Sequence, residues 1–159
     1  MKRVFFDFET YPISKDAIAP KPVCLSVCME DGSRTLVASC EPEFFEALDL
    51  MLDPDTLAIG HNFAAFDLAC LVQHYPQYIS KVFDALANGR ISDTLAREKL
   101  LALATTGDLE FAYTPDGGKI KKGYHLTDLE KTYLGIDRGH LKEGSSDLWR
   151  VNYDSLDGL

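Results

Sequence analysis

The chain has 159 residues, 46% of them hydrophobic, and a formal net charge of -9 at pH 7. This size and composition fit one compact domain spanning residues 1–159. The negative charge argues against a protein that wraps nucleic acid by bulk electrostatics. No apolar run approaches membrane-spanning length and no leader-like segment precedes the first apolar run, so we expect a soluble, cytoplasmic protein that does not contact a membrane.

The first predicted element is a strand over the apolar run Val4–Glu9, which contains Asp7 and Glu9. Residues two apart in a strand share one face, so the two carboxylates lie side by side. In a central, buried strand these like charges are costly unless a cation neutralises them. Hard oxygen ligands suit Mg²⁺ or Mn²⁺. An edge strand with one acidic face in water would show the same residues, and both interpretations stay open at this point.

The middle of the chain alternates strands and helices. The Asp31-Gly32 turn predicts an antiparallel hairpin, and helical spacing of apolar residues predicts two helices around a short buried strand. The predicted bounds are 23–29 and 35–38 for the hairpin, 42–52 for the first helix, 56–60 for the strand, and about 63–75 for the second helix.

The second half of the chain predicts a helix over 95–103, with Asp93 or Thr94 as its cap. A second hairpin is predicted around the Pro115–Gly118 turn. Thr127 to Glu130 fits a capping box and opens a last helix, which Gly135 ends. Alternating strands and helices with an early hairpin predict an α/β fold, in which helices pack on the faces of a mixed sheet. The four cysteines lack zinc-site spacing and predict buried thiols in a reducing compartment.

A second chemically informative stretch runs from His61 to Asp67, where the buried strand ends and the second helix begins. A helix N-terminus would stabilise a carboxylate at Asp67, which is the simplest structural explanation for that residue. That explanation leaves the His61-Asn62 pair unaccounted for.

Two motifs carry a resemblance to a known family. Asp7-Phe8-Glu9-Thr10 looks like the first motif, D-x-E, of the DEDD 3′-to-5′ exonucleases, and the stretch from His61 to Asp67 looks like the second, H-N-x-x-x-F-D. The order and separation of the motifs are those of the family. The resemblance implies a ribonuclease-H-like fold with a mixed β-sheet flanked by helices. Softer matches at 92–96, 124–129, 134–136 and 149–153 are most similar to the N-terminal proofreading domain of phage-type family A DNA polymerases.

Carried over onto this sequence, the resemblance implies a site for two Mg²⁺ or Mn²⁺ ions. Asp7 would bridge both ions, Glu9 would bind one of them and contact the terminal 3′ hydroxyl, and Asp67 would hold the other. Such a pair activates the attacking water and stabilises the leaving 3′ oxygen, which releases a nucleoside 5′-monophosphate. The residues expected near the terminal nucleotide are Thr10, His61, Asn62 and Phe63.

The family also needs a fourth carboxylate, in a helix that bears Y-x-x-x-D or H-x-x-x-D. Tyr153 and Asp157 match this spacing and would share one helical face, so Asp157 is a candidate fourth metal ligand. The chain stops at Leu159, which leaves no helix to hold the pair. We therefore favour the interpretation that the real motif lies beyond this end and that the 1–159 exonuclease-like domain is truncated at its C-terminus.

The function implied by the resemblance is metal-dependent hydrolysis of the terminal phosphodiester of single-stranded DNA, with a polymerase domain as partner in cis or in trans. Two alternatives stay open: a catalytically incomplete or silent module that binds DNA or a partner protein, and an exoribonuclease. Contacts with the DNA backbone could come from exposed basic residues, although a solvated turn explains the lysines equally well. These residues are Arg90, Lys119, Lys121, Lys122 and Lys142.

Overall fold

A computed structural model of the chain describes residues 1–137. Its strands are β1 (Lys2–Thr10), β2 (Pro22–Met29), β3 (Arg34–Ala38), β4 (Thr56–Gly60), β5 (Ile91–Asp93), β6 (Phe111–Tyr113) and β7 (Lys119–Lys121). Its α-helices are α1 (Pro42–Met51), α2 (Leu68–His74), α3 (Ile79–Ala87), α4 (Thr94–Thr106) and α5 (Leu126–Leu134). A π-helical turn, Phe63–Asp67, leads directly into α2, and a 3₁₀ turn, Pro76–Tyr78, leads into α3.

The main sheet has five strands in the order β3-β2-β1-β4-β5. The first three strands are antiparallel to one another, whereas β1, β4 and β5 run parallel. The predicted α/β mixed sheet flanked by helices is therefore confirmed, with β1 at its centre. The carboxyl ends of the three parallel strands meet at one edge of the sheet, which is where ligand sites form in open α/β sheets.

The turn between β2 and β3 is the one predicted from the sequence. Gly32 has a φ of 84°, which an Asp-Gly turn needs. The Asp31 carboxylate accepts a hydrogen bond from the Ser33 backbone N–H at 2.8 Å, and the Met29 backbone N–H donates to the Ser33 carbonyl at 2.9 Å. These local bonds determine the hairpin register.

The hydrophobic core lies on one face of the main sheet. Val4, Phe6 and Phe8 alternate along β1 and point into it. Helices α1, α2 and α3 cover this face with their buried side chains, and the Phe44 ring packs 5.5 Å from the Tyr75 ring. The two-residue period of β1 therefore places Asp7 and Glu9 on the opposite face.

The structure combines features of the two interpretations of β1 and adds two elements that were not predicted. The strand is central, but its second face is open among the described residues, with Asp7 exposed and Phe5 44% exposed. Helix α3 was not predicted, although the signal for it was present in apolar residues that recur at helical spacing, namely Ile79, Val82, Phe83 and Leu86. The short strand β5 was also missed, since three residues are too few for a periodic signal.

The chain divides into two compact units, Met1–Thr94 and Leu95–Leu159. The first holds the five-stranded sheet. In the described part of the second, β6 and β7 form the predicted hairpin, and α5 begins with His125 as its N-cap. The backbone N–H of His125 donates to the Asp128 carboxylate at 3.0 Å, so this cap lies two residues before the predicted one. A single domain over 1–159 stays a prediction.

All four cysteines fall within the described residues and form no disulfide; Cys24 and Cys70 are buried as predicted, whereas Cys28 is half-buried and Cys40 is exposed. None of the helices described in residues 1–137 has the length and hydropathy needed to cross a membrane.

Candidate active site

The predicted acidic residues lie where β1 extends past the end of β4. The parallel pairing of the two strands runs from Lys2 with Thr56 to Phe5 with Ile59, and β4 ends at Gly60. Beyond this point β1 has lost its neighbour on the β4 side. Any backbone N–H of β1 on that side then needs another hydrogen-bond acceptor.

Asp67 supplies that acceptor. Its Oδ1 accepts a hydrogen bond from the backbone N–H of Phe8 at 2.9 Å, and the residue is only 3% exposed. Phe8 lies between Asp7 and Glu9 in the sequence, so this bond joins the two acidic motifs directly. The bond thus fastens Asp67 to the strand segment that carries Asp7 and Glu9, and the charge of Asp7 acts on Asp67.

The three carboxylates differ in burial. Asp7 is exposed and Glu9 is half-buried on the open face of β1, whereas Asp67 is buried. The β1–β2 register shifts between Glu9 and Thr10, which marks an irregularity of the strand at this point. Such irregularities are common beside active sites, where they redirect side chains.

The electrostatics of the site favour protonation or a bound cation. Desolvation raises the pKa of Asp67 to about 7; the Phe8 hydrogen bond opposes this shift, and the charges of Asp7 and Asp93 add to it. Desolvation by the surrounding protein also raises the pKa of Asp7, and nearby His61 opposes that shift. The carboxylates therefore repel one another in a partly dry environment.

The second residue of the second motif, Asn62, is left-handed. Asn62 has φ 59° and ψ 21°, and among residues 1–137 it is the one non-glycine residue with a positive φ. Asparagine tolerates this conformation better than most residues. A π-helical turn follows it, in which the backbone N–H of Leu68 donates to the carbonyl of Phe63. Such turns occur frequently at functional sites, and this one ends on Asp67.

The end of β5 holds this turn in place. The two carboxylate oxygens of Asp93 accept hydrogen bonds from the backbone N–H groups of Asn62, at 3.1 Å, and Ala64, at 2.9 Å. Sequence reasoning treated Asp93 as a helix cap and missed these contacts. These contacts follow from the position of Asp93 at the end of β5, which pairs with β4.

His61 is held by the residue after Asp93. Its Nδ1 lies 3.0 Å from the hydroxyl oxygen of Thr94, and that hydroxyl donates to the Gly60 carbonyl at 3.1 Å. The imidazole is half-buried. Two residues at the carboxyl end of β5 therefore hold the predicted pair: Thr94 contacts the His61 ring, and Asp93 accepts the Asn62 backbone N–H.

Two of the predicted substrate contacts are buried. Phe63 is 0% exposed and belongs to the hydrophobic core, so its side chain has no free surface to offer a nucleotide. A Cβ on Gly60 would lie 2.7 Å from the Cβ and the ring of Phe63, which shows how tightly this ring is packed. Thr10 is 8% exposed, and its hydroxyl donates to the Tyr11 carbonyl at 3.0 Å. His61 and Asn62 stay candidates for contact.

The donor set at this edge of the sheet suits a hard cation. Asp7, Glu9 and Asp67 offer only oxygen ligands, and the repulsion that helps raise the pKa of Asp67 is the kind that a divalent ion relieves. Within residues 1–137, no three His, Cys, Asp or Glu side chains group closely enough to hold one ion together. Mg²⁺ is usually bound by one or two carboxylates together with water and substrate phosphate. Asp7, Glu9 and Asp67 would provide the carboxylate ligands.

Two other candidate residues need separate mention. Arg90 was predicted to touch DNA, but it is 5% exposed and its guanidinium donates to the carbonyls of Leu52 and Asp53, so it has a structural role. Asp157, the candidate fourth metal ligand, lies outside the described residues.

No protein-family model matches the chain, and no curated protein matches it. Solved structures do match. The EXO domain of Nibbler from Aedes aegypti has a TM-score of 0.56 at 14% identity, covering 91% of this chain and 64% of that one. Exonuclease I in complex with the inhibitor BCBP has a TM-score of 0.54 at 15% identity, covering 86% of this chain and 37% of that one.

A third match is the family B DNA polymerase of the hyperthermophilic archaeon Pyrobaculum calidifontis, with a TM-score of 0.38 at 23% identity, covering 47% of this chain and 11% of that one. The chain spans less than two thirds of the length of each of these proteins. The two matches with TM-scores above 0.5 are both exonuclease structures. Together with the five-stranded mixed sheet, they show that this chain has the α/β, ribonuclease-H-like fold found in exonuclease domains.

Proposed function

We propose that this chain is a metal-dependent 3′-to-5′ exonuclease module that hydrolyses the terminal phosphodiester of single-stranded DNA and releases nucleoside 5′-monophosphates. The observation that carries the proposal is the hydrogen bond between Asp67 and the Phe8 backbone. It fastens a buried carboxylate to the strand residue that separates Asp7 from Glu9, at the ligand-binding edge of a fold that exonuclease domains share.

Each acidic residue has a distinct task in this proposal. Asp7 and Glu9 present carboxylates on the open face of β1, where a DNA end has access. Asp67 provides a buried charge that the Phe8 N–H keeps in one orientation. Asp7, Glu9 and Asp67 would hold Mg²⁺ or Mn²⁺, which when bound supplies an activated water as nucleophile and stabilises the leaving 3′ oxygen.

The expected binding partner is the 3′ end of a single DNA strand, and we extend the proposal to a polymerase domain in the same or another chain. An acidic protein repels the DNA backbone at long range, so binding should depend on the few groups at the site. His61 and Asn62, at the turn that leads to Asp67, are the residues best placed to contact the terminal nucleotide.

A degradation assay tests the proposal. The 159-residue chain, incubated with 5′-labelled single-stranded DNA and Mn²⁺, should give a ladder of products shortened from the 3′ end. Asp7→Asn should lower the rate at least about 100-fold, since it removes a charge that acts in the transition state. Asp49→Asn is the matched control, because Asp49 is an exposed acid on α1 that pairs with Lys81 on the surface.

Two outcomes decide against the proposal. A wild-type chain that gives no ladder at high concentration with Mn²⁺ favours the alternative of a catalytically silent module. If a matched RNA oligonucleotide is degraded faster than DNA, the proposed substrate is wrong and is RNA, whereas the proposed hydrolysis stands.

A further inference from the structure

The residues Asp93 and Thr94, at the end of β5, contact the second motif without belonging to it. Asp93 is 9% exposed, and its two oxygens accept the backbone N–H groups of Asn62 and Ala64. A buried carboxylate that accepts two backbone hydrogen bonds is a strong and directional anchor. These bonds hold the left-handed turn at Asn62 in a conformation that the backbone would otherwise leave readily.

The hydroxyl oxygen of Thr94 lies within hydrogen-bond distance of both the Gly60 carbonyl and His61 Nδ1. A hydroxyl has one hydrogen, and that of Thr94 is donated to the Gly60 carbonyl at 3.1 Å. The same oxygen lies 3.0 Å from His61 Nδ1, and both contacts are hydrogen bonds at once only when the oxygen accepts there and Nδ1 carries the proton. In a neutral imidazole the other nitrogen, Nε2, then carries the lone pair and is a hydrogen-bond acceptor.

We propose that Thr94 and Asp93 are positioning residues: Thr94 fixes His61 as the Nδ1–H tautomer and Asp93 holds the turn that follows His61, so that Nε2 of His61 accepts a hydrogen bond from a sugar hydroxyl of the terminal nucleotide. This inference rests on the proposed function for the identity of the ligand. Phosphate oxygens are acceptors and have no proton to share with Nε2, whereas a hydroxyl does. Base N–H groups also donate but differ from one nucleotide to the next, whereas a 3′ hydroxyl is common to every 3′ end, so we assign the hydroxyl.

The tautomer is tested on the free protein by long-range ¹H–¹⁵N NMR at about pH 8, above the ordinary imidazole pKa. His74 is an internal control, because its Nε2 lies 2.9 Å from the Ala19 carbonyl and must be the protonated nitrogen. We expect opposite tautomers for the two rings, with Nδ1–H at His61 and Nε2–H at His74. Finding Nε2–H at His61 overturns the proposal.

Two variants of Thr94 form a matched pair. Thr94→Val keeps the shape of the side chain but removes the acceptor, and should shift His61 toward the Nε2–H tautomer. Thr94→Ser keeps the hydroxyl and should leave His61 as in the wild type. If valine leaves the tautomer unchanged, or if serine behaves like valine, the proposed role of Thr94 is wrong.

The activity readout separates this inference from the proposed function. Thr94→Val should lower kcat/KM for single-stranded DNA about tenfold, the effect of one lost hydrogen bond of about 1.4 kcal/mol, and Thr94→Ser should restore it. With a DNA strand that ends in a 3′-deoxy sugar, Thr94→Val and Thr94→Ser should have the same kcat/KM. If the NMR result holds but no strand is degraded, the proposed function fails while the assignment of the tautomer stands. If both variants degrade DNA at the wild-type rate, the role of His61 in binding is overturned.

For Asp93, the variant Asp93→Asn replaces one accepting oxygen with an amide NH₂, which faces a backbone N–H and cannot bond it. We expect faster hydrogen exchange at the amides of Asn62 and Ala64 in this variant, with exchange in the β1–β2 ladder unchanged. Exchange that rises equally across the sheet would show that Asp93 serves overall stability and not the position of this turn.

Discussion

The Oδ1 atom of Asp67 accepts the backbone N–H of Phe8 at 2.9 Å across a sequence separation of 59 residues. This bond has two consequences. It satisfies a donor that β1 would leave unpaired after β4 ends, and it brings a buried carboxylate close to Asp7. Stability and the proposed chemistry therefore depend on the same side chain, and its substitutions should affect both.

The protonation of Asp67 should make stability depend on pH. Its pKa is raised from 3.8 to about 7 in the folded chain, so between these values the folded state binds a proton that the unfolded state has lost. The stability due to this proton is present below about pH 4 and is lost as pH rises through about 7. Asp67→Asn keeps an acceptor for Phe8 without a titrating group. In metal-free buffer at about pH 8 it should be more stable than the wild type by roughly 2–4 kcal/mol.

Urea unfolding of both proteins at a series of pH values measures this difference. The stability of Asp67→Asn relative to the wild type should decrease as the pH falls toward about 4. Asp67→Ala is the comparison variant, since it removes the acceptor and should be less stable than Asp67→Asn at every pH. A constant difference between the wild type and Asp67→Asn over this range would contradict the raised pKa.

Divalent cations should stabilise the folded chain. An ion that binds only the folded state at 100 times its dissociation constant adds about 2.7 kcal/mol, and we expect Mn²⁺ to raise the melting temperature accordingly. Asp7→Asn should reduce the shift, while Asp49→Asn on the exposed surface of α1 should retain it. Addition of a chelator should reverse the wild-type shift. Equal shifts in both variants would place the binding elsewhere.

Substitution of Gly60 should disturb the site through Phe63. A Cβ at this position would approach the Phe63 side chain to 2.7 Å, and the ring is fully buried. We expect Gly60→Ala to lower the free energy of unfolding by about 1–3 kcal/mol. It should also reduce the rise in melting temperature on addition of Mn²⁺. Gly89→Ala is the control, because Gly89 has a φ of 65° with open space around its missing Cβ. Gly89→Ala should lower the free energy of unfolding through backbone strain but leave the Mn²⁺-induced rise in melting temperature unchanged.

Arg90 should stabilise the fold and have no direct part in DNA binding. Its buried guanidinium donates to the carbonyls of Leu52 and Asp53 and pairs with Asp84. Arg90→Met should lower the free energy of unfolding by about 2–3 kcal/mol, since buried carbonyls lose a charged donor. Asp84→Asn should cost less than about 1 kcal/mol, because the Asp84 carboxylate is mostly exposed. Chemical denaturation measures both, and equal costs would contradict this assignment.

Local patterns predicted much of the fold. The Asp31-Gly32 turn and the two-residue period of β1 depend on neighbours in sequence, so the first hairpin and the shared face of Asp7 and Glu9 were both predictable. Helix α3 was not predicted, although its apolar residues recur at helical spacing and the signal was therefore local. The assignment of Phe63 to substrate contact overlooked its packing in the core, which follows from the fold and not from the motif.

The sequence by itself determined which residues are the candidates for acidic chemistry: Asp7 and Glu9, spaced along one strand, and Asp67 at the end of the second motif. Only the tertiary structure decided how they meet. Because β4 stops at Gly60 while β1 continues, the N–H of Phe8 needs an acceptor, and Asp67 provides it from 59 residues away. The role of Asp93 has the same origin, since its partners are backbone groups that no side-chain pattern records.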